Sequence, residues 1–278
     1  MSEFSLKEVQ KIELDILKYI KEMCDKYHLE YYLAYGTLIG AVRHKGFIPW
    51  DDDIDIWMPK SDIKMLSKIM CEDSHPYYKL VSIYNVDSFT APLPKIIDTR
   101  TRLVQHYGFI EKIPLGIYVD IFPLDGAGNT MEEAEKNYIC AHKLYKHWIH
   151  ADLTMFIPGI KKSISLLRWM KHVPEKMKGI NYWLKKLDSY TDQFSFKDCE
   201  YVGVLTNMED TPKGNVFHKS ILGNDTYLQF EDEHFRVPQK YDELLTIQYG
   251  DYLRLPPKEK QISHHKYDIE WVGEKTNA

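Results

Sequence analysis

Two carboxylates separated by a single residue, Asp53 and Asp55, are the feature of this sequence best suited to chemistry. The run Asp53-Ile54-Asp55-Ile56 alternates acid with apolar residue, the two-residue period of a β-strand. On such a strand both acids share one face, with Cβ atoms roughly 6.5–7 Å apart, while the isoleucines point into a core. Carboxylates held that close repel each other unless a cation bridges them or one takes a proton. A hard cation, Mg2+ or Mn2+, suits the arrangement, because it takes few protein oxygens and completes its shell with substrate phosphates. A bare acidic run, Asp51-Asp52-Asp53, also fits a solvated loop. The apolar strand after it and the Gly-Thr turn before it favour the metal.

Other candidates flank this pair. Gly36-Thr37 follows a short apolar run and precedes a helical turn, where backbone N–H groups and a helix N-terminus can meet a phosphate. Arg43, His44 and Lys45 either neutralise a diphosphate or form a basic surface offsetting the acids that follow. Asp120 sits alone in the apolar run Tyr118-Val-Asp-Ile-Phe, and burying it is costly without a cation or a donor; a strand-end carboxylate held by backbone amides is the alternative. Lys95 either reaches phosphates across the sheet or is a solvated lysine on an edge strand. Of the adjacent His264 and His265, one can face the site, to contact phosphate or assist deprotonation. Asp125, ahead of Gly126, reads as turn chemistry.

The elements that must position these residues follow from periodicity. Ser5 and Glu8 form a capping-box pattern, and Val9, Ile12, Ile16, Ile20 and Met23 recur at helical spacing, predicting a helix over 6–27. A short strand is expected at 31–34, a helical turn at 38–42, a strand at 53–58 and a helix from about 59 to 70. Further strands are expected at 78–84, 91–98 and 117–122. Thr130 and Glu133 repeat the capping box ahead of a helix to about 150, and a broken helical pattern continues to about 190. The segment 200–237 has strand character, and a helix over 240–249 stops at Gly250. The class is α+β: a mixed sheet flanked by helices, with a helical insertion. The expected divisions are a core over 1–128, a helical segment over 129–195, and a C-terminal part over 196–278 that packs back on the core.

Composition narrows the function. With 44% hydrophobic and 28% charged residues and a net charge of −5, the chain reads as an ordinary globular protein and not as a nucleic-acid binder. No secretory leader or membrane span is evident, and the four scattered cysteines read as reduced, so a cytoplasmic location is expected. From 160 to 187 there are eight Lys or Arg and one acid, interleaved with Ile164, Leu166, Leu167, Trp169, Met170 and Trp183. That mixture suits peripheral contact with the anionic inner face of a membrane. A basic solvated face packing its apolar side on the core fits it equally.

Gly-Thr followed by Asp-Ile-Asp-Ile is similar to the signature of the nucleotidyltransferase superfamily. The longer string YGTLIGAVRHKGFIPWDDDIDI closely resembles the LicD family, whose best-known members transfer phosphocholine from CDP-choline to surface glycans or teichoic acid precursors. The resemblance continues at 116–126 and at 249–257 with His264 and His265, whereas 130–200 carries no matching motif. It implies a nucleotidyltransferase-like fold, a Mg2+- or Mn2+-dependent enzyme, and a third metal-binding acid on a neighbouring strand, for which Asp120 matches. It also implies a CDP-linked donor, with CDP-choline favoured, and a glycan or lipid-linked glycan acceptor. Gly36, Thr37, Arg43, Lys45, Lys95 and His264 become candidates for the donor nucleotide and phosphates. Asp120, Asp51 and Asp52 are candidates for the base. A choline headgroup calls for aromatic faces, and of Tyr31, Tyr32, Tyr35, Trp50 and Trp57 the best candidates are Tyr35 and Trp50. Rival expectations are transfer of the nucleotide itself, CDP-glycerol or CDP-ribitol as donor, and a catalytically silent scaffold.

Overall fold

The structure, a computed structural model, describes residues 4–105, 113–152, 162–263 and 267–272. Its helices are α1 (Leu6–Tyr27), α2 (Tyr35–His44), α3 (Lys60–Glu72), α4 (Met131–Asp152), α5 (Lys162–Lys171), α6 (Val173–Lys178), α7 (Ile180–Thr191) and α8 (Tyr241–Tyr249). Its strands are β1 (Tyr32–Leu33), β2 (Asp55–Pro59), β3 (Tyr78–Val81), β4 (Lys95–Asp98), β5 (Thr101–Gln105), β6 (Tyr118–Gly128), β7 (Tyr201–Gly203), β8 (Val216–His218), β9 (Thr226–Phe230), β10 (Glu233–Val237) and β11 (Tyr267–Trp271). The expected α+β class holds.

Local rules account for the helix that opens the fold. In α1 the Ser5 hydroxyl accepts from the Glu8 N–H at 3.4 Å, and the Glu8 carboxylate accepts from the Ser5 N–H at 2.7 Å. Val9, Ile12, Ile16, Ile20 and Met23 are all buried, as an apolar stripe one face wide requires. The second expected capping box is also formed, with the Thr130 hydroxyl accepting from the Glu133 N–H at 3.2 Å ahead of α4.

The main sheet runs β1-β2-β6-β4-β3, with β7 and β8 continuing from the far end of β6. Only β2 and β6 pair in parallel among these neighbours; the other pairs are antiparallel. Strand β6 is therefore the spine of the molecule, and its register fixes everything that follows. Asp120 lies opposite Asp55 on one side and opposite Lys95 on the other.

Three expectations change here. Strand β2 begins at Asp55, so Asp53 lies just before the strand and alternation does not set its direction. Lys95 is on an interior strand between β6 and β3, and it is 8% exposed, so the solvated edge-strand reading is wrong. Asp125 is no turn residue: β6 runs on to Gly128 and Asp125 is buried within it.

The helical segment packs through its own apolar cluster, in which Tyr138 and Trp148 of α4 meet Trp183, Leu184 and Leu187 of α7. A polar node ties it to the sheet. The buried Lys60 ammonium contacts Asp188 Oδ1 at 2.7 Å and Asp192 Oδ1 at 3.0 Å, and donates to the Thr191 hydroxyl at 2.7 Å. Asp125 Oδ1 lies 4.0 Å from the same nitrogen. Burial disfavours the lysine's charge, but these acids outweigh it and push the Lys60 pKa up.

Candidate active site

Adjacent strands lie about 4.8 Å apart, so the register across β2, β6 and β4 sets an acid, an acid and a base side by side. The Lys95 ammonium forms a buried ion pair with Asp120 Oδ1 and lies 3.9 Å from the centre of the Tyr118 ring. Asp53, Asp55 and Asp120 all line one cleft, with a cavity volume of about 630 Å³. The three acids picked out by residue type are thus brought to one place.

The Gly36-Thr37 turn shapes the acidic run. Thr37 is buried and its hydroxyl accepts from the Asp55 N–H at 2.9 Å, which fixes the start of β2. A Cβ on Gly36 would stand 2.8 Å from Asp51 Oδ2, so glycine permits the acidic run to fold back against α2. Neither residue lines the cleft. The basic cluster is displaced as well. Arg43 donates to the Tyr252 carbonyl at 3.0 Å and to His44 Nε2 at 2.9 Å, and Lys45 is an exposed residue with φ 57° that ends α2. Both lie at the C-terminal end of the helix, away from the cleft lining. His264 lies outside the described residues.

Of the two aromatic candidates, Tyr35 lines the cleft and Trp50 does not. Tyr35 is the first residue of α2. Its ring meets Trp57 and Phe122 edge-on at 5.4 and 4.9 Å, and its hydroxyl accepts from Asn207 at 3.2 Å. Trp57 is buried, stacked on Phe217 at 5.4 Å. Three aromatics far apart in sequence, Phe122, Tyr145 and Tyr249, complete the apolar wall.

Other residues of the site carry no local signal. Glu13, on the buried face of α1, is 2% exposed, and one of its carboxylate oxygens has no hydrogen-bond partner among the described residues. Burial raises its pKa well above the usual carboxylate range, and Asp53, Asp52, Asp51 and Asp55 push it further. Lys213, Asn207 and Gln248 also line the cleft, from a loop with no motif and from α8. Tyr249 alone had a hint, since it begins the 249–257 string.

The electrostatics are those of crowded, partly buried acids. Burial, followed by Asp53, Asp120 and Asp51, raises the Asp55 pKa well above its usual range, and Lys95 offsets this only in part. Oxygens of Asp51, Asp52 and Asp53 lie within 4.8 Å of one another. Asp52 also accepts from the Ser263 hydroxyl at 2.5 Å, which draws the C-terminal segment onto the acidic run. Such an all-oxygen, charge-rich set has the donor chemistry that a hard divalent cation takes.

Comparison with known proteins gives these residues a context. Residues 28–155 match the family described as LicD/FKTN/FKRP, nucleotidyltransferase domain, a span that includes Asp51, Asp52, Asp53, Asp55, Asp120 and Asp125. The chain is 30% identical over 273 residues to the lipopolysaccharide cholinephosphotransferase LicD of Haemophilus influenzae, covering 95% of this chain and 97% of that protein. Shorter likenesses join it to uncharacterised proteins of Rickettsia prowazekii (42% over 55 residues, 20% of this chain and 21% of that one) and Rickettsia typhi (45% over 47 residues, 17% and 15%).

Proposed function

Since the chain belongs to the LicD family, we propose that it is a transferase that moves phosphocholine from CDP-choline to a hydroxyl group of a cell-surface glycan. The observation that carries this reading is the near full-length match to a cholinephosphotransferase, combined with a cleft that joins three acids to an aromatic wall. Asp53, Asp55 and Asp120 would hold Mg2+ or Mn2+, which would offset the charge that develops as the nucleotide departs. Lys95 keeps Asp120 aimed into the cleft through their ion pair. Lys213 reaches the donor phosphates from the cleft lining. Tyr35, Phe122, Tyr145 and Tyr249 offer π faces to a quaternary ammonium, which has no hydrogen to donate. Held between these walls, the distal phosphorus is open to in-line attack by the acceptor hydroxyl, with CMP leaving.

The test is a panel of CDP-choline, CDP-glycerol and CDP-ribitol with Mg2+ and a glycan acceptor. CMP release that is fastest with CDP-choline is the expected result. Pyrophosphate release would replace this reading with transfer of the nucleotide itself.

The acceptor is read as lipid-linked. In the helical segment Leu167, Met170 and Met177 are 67%, 56% and 84% exposed, on helices that also carry Arg168, Lys171, Lys176 and Lys178. No helix among the described residues is long and apolar enough to cross a membrane, so contact would be peripheral. Flotation with anionic vesicles is expected for the wild type and reduced when the charges over 161–178 are reversed. Equal flotation of both would remove the membrane from the proposal.

A further inference from the structure

Outside the cleft, four side chains converge where α4 meets the start of α6. His147 and His150 are three residues apart on α4, and His172 and Glu175 are three apart at the start of α6, so each pair presents one face. The His150 and His172 rings stack at 3.7 Å between centroids. His172 Nδ1 is 3.9 Å from Glu175 Oε2, and His147 Nδ1 is 3.3 Å from Glu175 Oε1. One ligand atom each from His150, His172 and Glu175 lies within 4.8 Å of the other two. Independently of that convergence, Glu175 Oε2 is buried with no hydrogen-bond partner among the described residues, an acceptor aimed at the two rings.

We propose that His150, His172 and Glu175 bind one Zn2+ ion, with His147 positioning the carboxylate through its hydrogen bond to the second oxygen. At Zn–N and Zn–O distances of about 2.0–2.2 Å, tetrahedral ligand atoms stand roughly 3.3–3.5 Å apart. The ligand atoms lie within 4.8 Å of one another, so binding would draw them closer and turn the stacked rings out of parallel. Two imidazoles and a carboxylate are a borderline donor set, suited to zinc and poor for Mg2+, which prefers oxygens alone. The His147–Glu175 contact is the outer-shell hydrogen bond such sites use to orient a ligand. His147 is itself held by Trp183 of α7, stacked at 4.3 Å. The ion therefore clips α6, and the basic helix α5 ahead of it, onto α4. It is separate from the acids of the cleft in both place and chemistry.

The experiment uses the full-length, untagged protein, loaded with Zn2+, dialysed against metal-free buffer and assayed for metal by mass spectrometry. One ion per chain is expected in the wild type and in Asp53→Asn/Asp55→Asn, and none in His150→Ala/His172→Ala. Glu175→Gln should weaken binding by at least about tenfold. Substitution by Co2+ in the wild type reads the same site without a variant: visible bands of tetrahedral coordination, displaced by Zn2+, are expected. Zinc retained equally by the double-alanine variant, no zinc in the wild type, or an octahedral Co2+ spectrum would each overturn the proposal.

Discussion

Asp120 and Asp125 stand five residues apart on one strand, and the acids that gather around each are treated differently. Around Asp125 the fold supplies its own cation: Lys60, also buried, contacts Asp188 and Asp192 and approaches Asp125. Around Asp120 the paired cation is Lys95; Asp53, Asp55 and Glu13 crowd the same region, and Lys213 lines the same cleft. The first cluster opens on a side pocket lined by Lys60, Lys64 and Lys197, and the second on the main cleft. A buried charge without a partner costs several kcal/mol. On the proposed function, the Asp120 cluster is the one at which an outside cation would sit, whereas Lys60 supplies the cation beside Asp125. By the same comparison, the Lys60 node is structural.

Turnover should break the comparison most sharply. Asp55→Asn is expected to lower CMP release about a thousandfold, the effect of losing several kcal/mol of charge stabilisation at the reacting phosphate. Asp125→Asn should leave turnover close to wild type. Equal losses in the two variants would show that the clusters do not differ in the way described.

Stability should respond in the opposite sense. Lys60→Met removes the cation from a buried cluster and is expected to cost about 3–5 kcal/mol in urea unfolding. Asp55→Asn, which relieves repulsion, should cost nothing in the absence of metal. A Lys60→Met protein as stable as wild type would mean that the node does not hold the helical segment to the sheet.

The smallest effect sharpens the contrast through pH and metal. Glu13 and Asp55 have raised pKa values, so the folded state binds their protons more tightly than the unfolded chain does. The stability they contribute is complete below about pH 4 and is lost as pH rises through their folded values. Asp125, pushed up to about 7 chiefly by burial, adds its loss between about pH 4 and 7. Adding Mg2+ at a hundredfold its dissociation constant should return about 2.7 kcal/mol. That gain should be larger at pH 8 than at pH 5 and absent in Asp55→Asn. A thermal shift with Mg2+ that is equal at both pH values, or retained in the variant, would separate the metal from these acids.

Much of this was legible in the chain. The helix over 6–27, the strand with Asp55 and the lone acid at 120 rest on periods of two and 3.6 residues and on a single polar residue in an apolar run. Each is a property of neighbours in sequence. Arg43 and Lys45 were misplaced for the same reason. They follow the Gly-Thr turn closely in sequence, yet a helix carries them away from its N-terminus at 1.5 Å per residue. Trp50 is near the acids in sequence and still does not reach the cleft.

The sequence by itself determined which residue types are available for catalysis and which faces of α1, β2 and β6 are apolar, because side-chain periodicity is local. Only the tertiary structure decided the rest. The register of β2 on β6 sets Asp55 against Asp120 across 65 positions of chain, and the packing of α1 brings Glu13 into the field of Asp51, Asp52, Asp53 and Asp55. The loop that brings Lys213 and the node that gives Asp125 its lysine likewise join segments more than sixty residues apart. Which charge meets which is settled by strand pairing and by burial, and neither is written in the spacing of adjacent residues.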